Sequence, residues 1–412
     1  MSKILILLFS ISSILTFGQS KKEYLKNNRF DLTSTEFEFP QKDFNIMGFG
    51  AYHGSAKTYE AEILLIKSLK KQGLIDYYIP ETSYSQAFFF QQYLETGNEE
   101  LLRELTLAFQ TIVNQEGTVE TFEHWKKLRL LNKTYPQNPI KVLGFDAIAE
   151  YQFPIKHILL LIDKVQNWKL KTALQTKFDN KEINFSTRNK ETTELLKNFI
   201  SDYEENKSVY SIQISDTISF HHILKNFKYN FDTEKGREEI IFDNYVYLKN
   251  IFTLGNKKQF FKYGFFHIEK QREENSAPFF TRIIEQNVYD RNNVITVMGY
   301  LTKSEVLWDK IYDDNGDYEA YTVEKGFGIG DYWKEYFKGI KNLKKTKLSD
   351  VTLFKLNGEN SPYKKGTDLI EVKLFLKKSN RKTLKNKPTT DFIDYAVLIS
   401  NSKNQIPIEE ME

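Results

Sequence analysis

Four short apolar runs of strand character each stop at an ionisable residue, with helix-like stretches between them, and this spacing constrains the fold more than any other feature of the chain. Phe44 to Tyr52 ends at His53-Gly54, Leu74 to Pro80 at Glu81, Ile140 to Phe145 at Asp146, and Gln259 to Phe266 at His267. Strands alternating with helices predict an α/β fold, with a central, mostly parallel sheet flanked by crossover helices. The carboxyl ends of such strands open on one side, and ligands bind there. Two imidazoles and two carboxylates, drawn from positions more than 200 residues apart, are thereby predicted to meet in one cleft.

The intervening segments fill in the plan. A helix is predicted from Ala56 to Gln72, where Ala61, Leu64, Leu65, Ile66 and Leu69 recur at helical spacing. Helices follow near Gln86–Tyr93, Glu99–Val113 and Val119–Leu131. The block from about 153 to 250 is helical in pattern, with polar breaks near Phe178–Asn189 and Asn206. It reads as an insertion or cap over the cleft. A helix at Pro278–Gln286, a strand at Asn293–Val297 and a last core strand within Asp391–Ser400 complete the sheet pattern. Asp313-Asp-Asn-Gly-Asp reads as a turn, because Gly316 falls at position four where a calcium loop needs glycine at six. Gly326 to Gly330 lacks the lysine and the strand-to-helix context of a phosphate loop.

Composition narrows the class. Met1-Ser2-Lys3 followed by the largely apolar Ile4–Phe17 reads as an export leader over residues 1–20, too short for a comfortable membrane span. A single α/β domain over 21–412 is then expected outside the cytoplasm, periplasmic or secreted, with no stable span after cleavage. The chain has no cysteine, which excludes a thiol nucleophile, a lipidated cysteine and disulfides together. A net charge of +3, with acids and bases interspersed, gives no stripe for a phosphate backbone, so a small-molecule substrate is expected rather than nucleic acid. The basic run Lys377 to Pro388 reads as a solvated loop between strand-like segments.

The residue types at the four strand ends suit hydrolysis. Gly54 lets the chain turn tightly after His53, and the helix that follows would offer N–H groups to an anion. Histidine is the side chain whose ordinary pKa lies near working pH, which fits a general base. Glu81 would orient or neutralise that imidazole, and His267 would hold a carbonyl or protonate a leaving group. No Gly-x-Ser-x-Gly elbow is present, so activated water is the expected nucleophile. His53, Glu81 and His267 would equally serve as ligands of a divalent metal. His221-His222, His124 and His157 read as helix-packing residues.

These motifs resemble the erythromycin esterase-like family. Phe49-Gly50-Ala51-Tyr52-His53-Gly54 is similar to the family's Gly-Glu-x-x-His-Gly, and Ile79-Pro80-Glu81 to its next strand end. Gly144-Phe145-Asp146, the spacing from Arg237 to Asn244, and Phe392-Ile-Asp394-Tyr-Ala-Val-Leu complete the resemblance in order. It implies a metal-independent opening of an ester or lactone, with His53 as base, Glu81 as its acidic partner and His267 as second histidine. Asp146, Arg237 and Asn244 are implied as supporting residues. Two departures stand out: the family's glutamate before the first histidine is Gly50, and Gly264 takes the place of one of its two later histidines. Glu60 or Glu62 is expected to replace the missing carboxylate. The resemblance also leaves open a non-catalytic, exported ligand-binding protein, with haem among the ligands.

Overall fold

The structure, a computed structural model, describes residues 20–411 apart from 112, 233, 315 and 327. The expected leader lies outside the described residues except for Ser20, whose hydroxyl accepts from the Glu23 N–H and caps the first helix. Thirteen strands are present among the described residues. They are β1 (Arg29–Asp31), β2 (Ile46–Gly50), β3 (Tyr77–Pro80), β4 (Lys141–Val142), β5 (Gln259–Tyr263), β6 (Val294–Thr302) and β7 (Glu305–Tyr312). Then follow β8 (Tyr318–Lys325), β9 (Asp331–Tyr332), β10 (Glu335–Phe337), β11 (Val351–Lys355), β12 (Val372–Leu374) and β13 (Tyr395–Ser400).

Eight of them form one sheet in the order β1-β11-β13-β6-β2-β5-β3-β4. The six strands from β13 to β4 pair in parallel, and β11 and β1 close one edge antiparallel. This is the mostly parallel α/β sheet expected. The elements are shorter than the apolar runs that announced them. β4 keeps two residues, and β5 ends at Tyr263, so His267 sits beyond the strand in a 3-10 turn over Phe266–Ile268. The segment beyond Tyr300, irregular in sequence, contains the β7–β8 hairpin, whose turn is held by an Asp317 N–H to Asp313 Oδ1 bond of 2.8 Å.

The first five helices are α1 (Lys21–Asn27), α2 (Ala56–Lys71), α3 (Tyr84–Thr96), α4 (Glu99–Phe109) and α5 (Val119–Thr134). The helical block holds α6 (Gln152–Leu161), α7 (Lys169–Asp179), α8 (Lys190–Glu205), α9 (Lys207–Tyr210), α10 (Thr217–Asp232) and α11 (Arg237–Ile251). The last three are α12 (Phe279–Glu285), α13 (Ile340–Thr346) and α14 (Thr389–Phe392).

Both sheet faces are covered, as a parallel sheet requires. Met47 and Phe49 of β2 face an apolar layer built with α2 to α5. Ile46, one pleat away, faces the opposite layer, built with α1, α11, α12 and α13. The block expected as one cap over 153–250 divides physically. Helices α6 to α10 enclose their own core around Tyr151, Trp168, Phe199 and Phe227. Helix α11 instead packs Ile241, Tyr245 and Leu248 on the sheet. Asn226 of α10 and Asn244 of α11 join the two by exchanged amide bonds of 3.1 and 2.8 Å. No helix among the described residues is long and apolar enough to cross a membrane.

Candidate active site

His53 follows β2 by three residues. Gly54, at φ +84°, turns the chain there, and the backbone of Leu307 packs where a Cβ would stand, donating its N–H to the Gly54 carbonyl at 2.8 Å. The helix N-terminus behind this turn is not open to an anion. The Ala56 N–H bonds Lys403 O at 2.9 Å and the Lys57 N–H bonds Ser402 Oγ at 2.9 Å, which overturns that expectation.

The carboxylate that orients His53 is Glu116. Its Oε1 lies 2.5 Å from His53 Nδ1. A carboxylate only accepts, so Nδ1 donates to it, and in the neutral form of the ring the lone pair lies on Nε2. Glu116 comes from a 3-10 turn, Asn114–Glu116, between α4 and α5. Its other oxygen accepts from the Tyr59 hydroxyl and from Thr121 Oγ1 at 3.3 Å, and the buried Lys262 ammonium stands 3.8 Å from Oε1. Burial would raise the Glu116 carboxyl, but Lys262 and His53 hold it below its ordinary value. Sequence reasoning missed this residue, since an acid in Asn-Gln-Glu-Gly carries the signature of a solvated turn.

Glu60 and Glu62 do not fill that role. Glu60 is exposed, and Glu62 is buried where it accepts from the Tyr78 hydroxyl at 2.7 Å and lies 3.4 Å from His124. At position 50 a Cβ would meet the Ile268 side chain at 2.8 Å, so a larger residue there requires that side chain to shift; here the carboxylate enters from a distant loop instead.

Glu81, at the end of β3, is buried and faces His53 across the site. No hydrogen bond joins it to His53; as an acidic partner it interacts with that imidazole through charge. Its Oε1 accepts from Arg237 Nη2 at 2.7 Å and lies 3.5 Å from His267 Nε2, while Oε2 accepts the Gly264 N–H at 3.0 Å. Burial would raise this carboxyl; the charges of His53, His267, Arg237 and Lys262 outweigh it and hold the group well below the carboxylate range. Asp146 takes Arg237 as a fork, Nε to Oδ1 at 2.9 Å and Nη2 to Oδ2 at 2.6 Å. It thus aims the guanidinium at Glu81 rather than meeting His53 itself. Asn244 is one step further out, donating to the Phe145 carbonyl at 3.0 Å and so fixing the strand end that carries Asp146.

His267 has its own carboxylate, Glu238, at 2.5 Å from Nδ1, and Glu238 in turn accepts the Phe279 N–H at 2.7 Å. A methyl added at Gly264 would lie 3.8 Å from His53 Nε2, 3.5 Å from the His267 ring and 4.0 Å from Glu81 Oε2. His53, Glu81 and His267 therefore converge on one small space, which glycine at 264 keeps clear. The donors suit a divalent metal poorly. Both Glu81 oxygens are already engaged by hydrogen bonds, and a fixed guanidinium adjoins them.

Burial works against the charged His267, yet the Glu238 bond and the Glu81 charge raise its pKa above the ordinary 6.5. A raised folded value means its stabilisation is full below pH about 6.5 and is lost as pH rises through the folded value. In Glu238→Gln the His267 resonance is expected to titrate at lower pH than in the parent, as followed by NMR. An unchanged titration would remove Glu238 as the cause.

The sequence matches no protein-family model and none of the curated proteins. Solved structures do match. A Bacillus cereus protein aligns at TM-score 0.59 and 13% identity over 94% of this chain and 98% of its own. A succinoglycan biosynthesis protein aligns at TM-score 0.59 and 13% identity, covering 95% and 98%. A histidine-to-asparagine mutant of the erythromycin esterase EreC, in its open conformation, aligns at TM-score 0.56 and 10% identity, covering 89% and 92%. Over nearly its whole described length, the chain has the erythromycin esterase-like fold.

Proposed function

We propose that the protein hydrolyses a carboxylic ester or lactone, with His53 as the general base. The observation that carries this reading is the His53–Glu116 pair, which leaves Nε2 as a base facing the space shared with Glu81 and His267. His53 Nε2 takes a proton from water as the oxygen attacks the ester carbonyl carbon. The tetrahedral oxyanion forms beside His267, whose ring Glu238 and Glu81 favour in its charged, donating form. Collapse breaks the carbonyl–alkoxy bond, and the imidazolium returns its proton to the leaving oxygen, giving a carboxylic acid and an alcohol. An esterase among the structural neighbours supports an ester as the bond class. The leader-like Ile4–Phe17 supports action outside the cytoplasm.

The test is a panel of carboxylic esters and lactones offered to protein dialysed against a chelator, with bound metal measured by mass spectrometry. Turnover that survives dialysis is the expected result. Activity lost on chelation and restored by one divalent ion would overturn the metal-independent route. No turnover of any member would favour a binding protein.

A further inference from the structure

We infer that the small sheet of β9, β10 and β12 is a docking surface for an anionic lipid bilayer. This does not depend on the hydrolase reading. The three strands pair antiparallel, and their turns come together as one tip. Trp333 and Lys334 join β9 to β10, Phe375 and Leu376 follow β12, and the Phe375 N–H bonds the Lys334 carbonyl at 2.7 Å. Trp333 is 62% exposed, Phe375 52% and Leu376 89%, and the Trp333 and Phe375 rings meet edge-on at 5.1 Å. Leu376 holds φ +56°, an unfavourable conformation for a branched side chain, and displays it to solvent. Scattered exposed apolar residues need no explanation, but three large ones gathered on a single tip do.

The tip is collared by cations. From 372 to 390 the chain carries Lys373, Lys377, Lys378, Arg381, Lys382, Lys385 and Lys387, and no acid. The buried Glu371 is already neutralised by Lys373 at 2.6 Å and Lys338 at 3.2 Å. Lys377, Lys378, Arg381 and Lys382 are exposed, and none pairs with a carboxylate among the described residues. Lys373, Lys378, Arg381 and Lys382, together with the lysine-paired Glu371, also line a depression of about 520 Å³ beside the tip. A solvated loop accounts for the charge and leaves the apolar tip unexplained. A polyanion in solution would likewise use only the collar, and an apolar protein groove only the tip. An anionic bilayer uses both, taking Trp, Phe and Leu to the acyl boundary and holding lysines and arginine at the headgroups.

The test uses the full chain with phosphatidylglycerol vesicles carrying brominated acyl chains. Quenching of Trp333 is expected, read as the quenched component that disappears in Trp333→Phe. Reversing Lys377, Lys378, Arg381 and Lys382 to glutamate is expected to weaken vesicle binding by at least about tenfold at low salt. Leu376→Ser, which disturbs no packing, is expected to weaken it several-fold. Trp333 unquenched on bound vesicles would overturn the inference, as would equal binding to pure phosphatidylcholine. Tight binding to heparin with no effect of Leu376→Ser on vesicles would assign the surface to a soluble polyanion instead.

Discussion

His53→Ala and Glu116→Gln are each expected to lower kcat/KM for the responsive ester by about 10³- to 10⁴-fold. The first removes the base. The second keeps shape and volume but lets the amide present its NH2 group to Nδ1, which moves the imidazole proton to Nε2 and abolishes the base where the substrate binds. Because the two act as one unit, the double variant should lose little more than either alone. Steady-state kinetics on the three variants, with circular dichroism to confirm folding, decide this. Full activity in Glu116→Gln would show that His53 needs no orienting carboxylate. Additive losses would show that Glu116 acts elsewhere than through His53.

Lys270→Met is expected to destabilise the fold by about 3–5 kcal/mol, as breaking one half of a buried ion pair does. The Lys270 ammonium is buried and donates to both Asp394 oxygens, at 2.8 and 2.7 Å, and to the Val294 carbonyl at 3.1 Å. Asp394 also accepts the Thr296 N–H at 2.9 Å and Asn357 Nδ2 at 3.0 Å. The pair therefore ties the turn bearing His267, three residues upstream, to β6 and to the approach to β13. Met in place of Lys270 leaves the buried carboxylate without its cation. The paired change Lys270→Met with Asp394→Leu should recover much of the loss, since an apolar pair of similar volume replaces a buried ion pair at little cost. Denaturant midpoints measure both. A loss under about 1 kcal/mol in the single variant would mean that the pair anchors nothing.

This pair also gives a physical reason for the closing Phe392-Ile-Asp394 motif. Read as sequence, it marks a strand like the family's last one. In the fold, Asp394 is the anchor for the second histidine, a link no spacing rule contains because Lys270 lies 124 positions away.

The amino-acid sequence by itself determined the sheet and the meeting of four strand ends. Apolar period and helix spacing are local properties, and in a parallel sheet the carboxyl ends share a side whatever the connections. His53, Glu81 and His267 therefore gather as their positions imply, with Asp146 and Arg237 one step behind. Only the tertiary structure decided which acid serves which base. Glu116 and Glu238 were unreadable because a polar turn and a helix start look alike whether solvated or buried, and it is the packing of Tyr59, Lys262 and Phe279 around them that makes each a partner. Glu60 and Glu62, nearer in sequence to His53, lost that role to helix geometry, which turns one to solvent and the other toward Tyr78. Proximity along the chain sets which side chains share an element. Which carboxylate reaches an imidazole is set by the faces those elements bury.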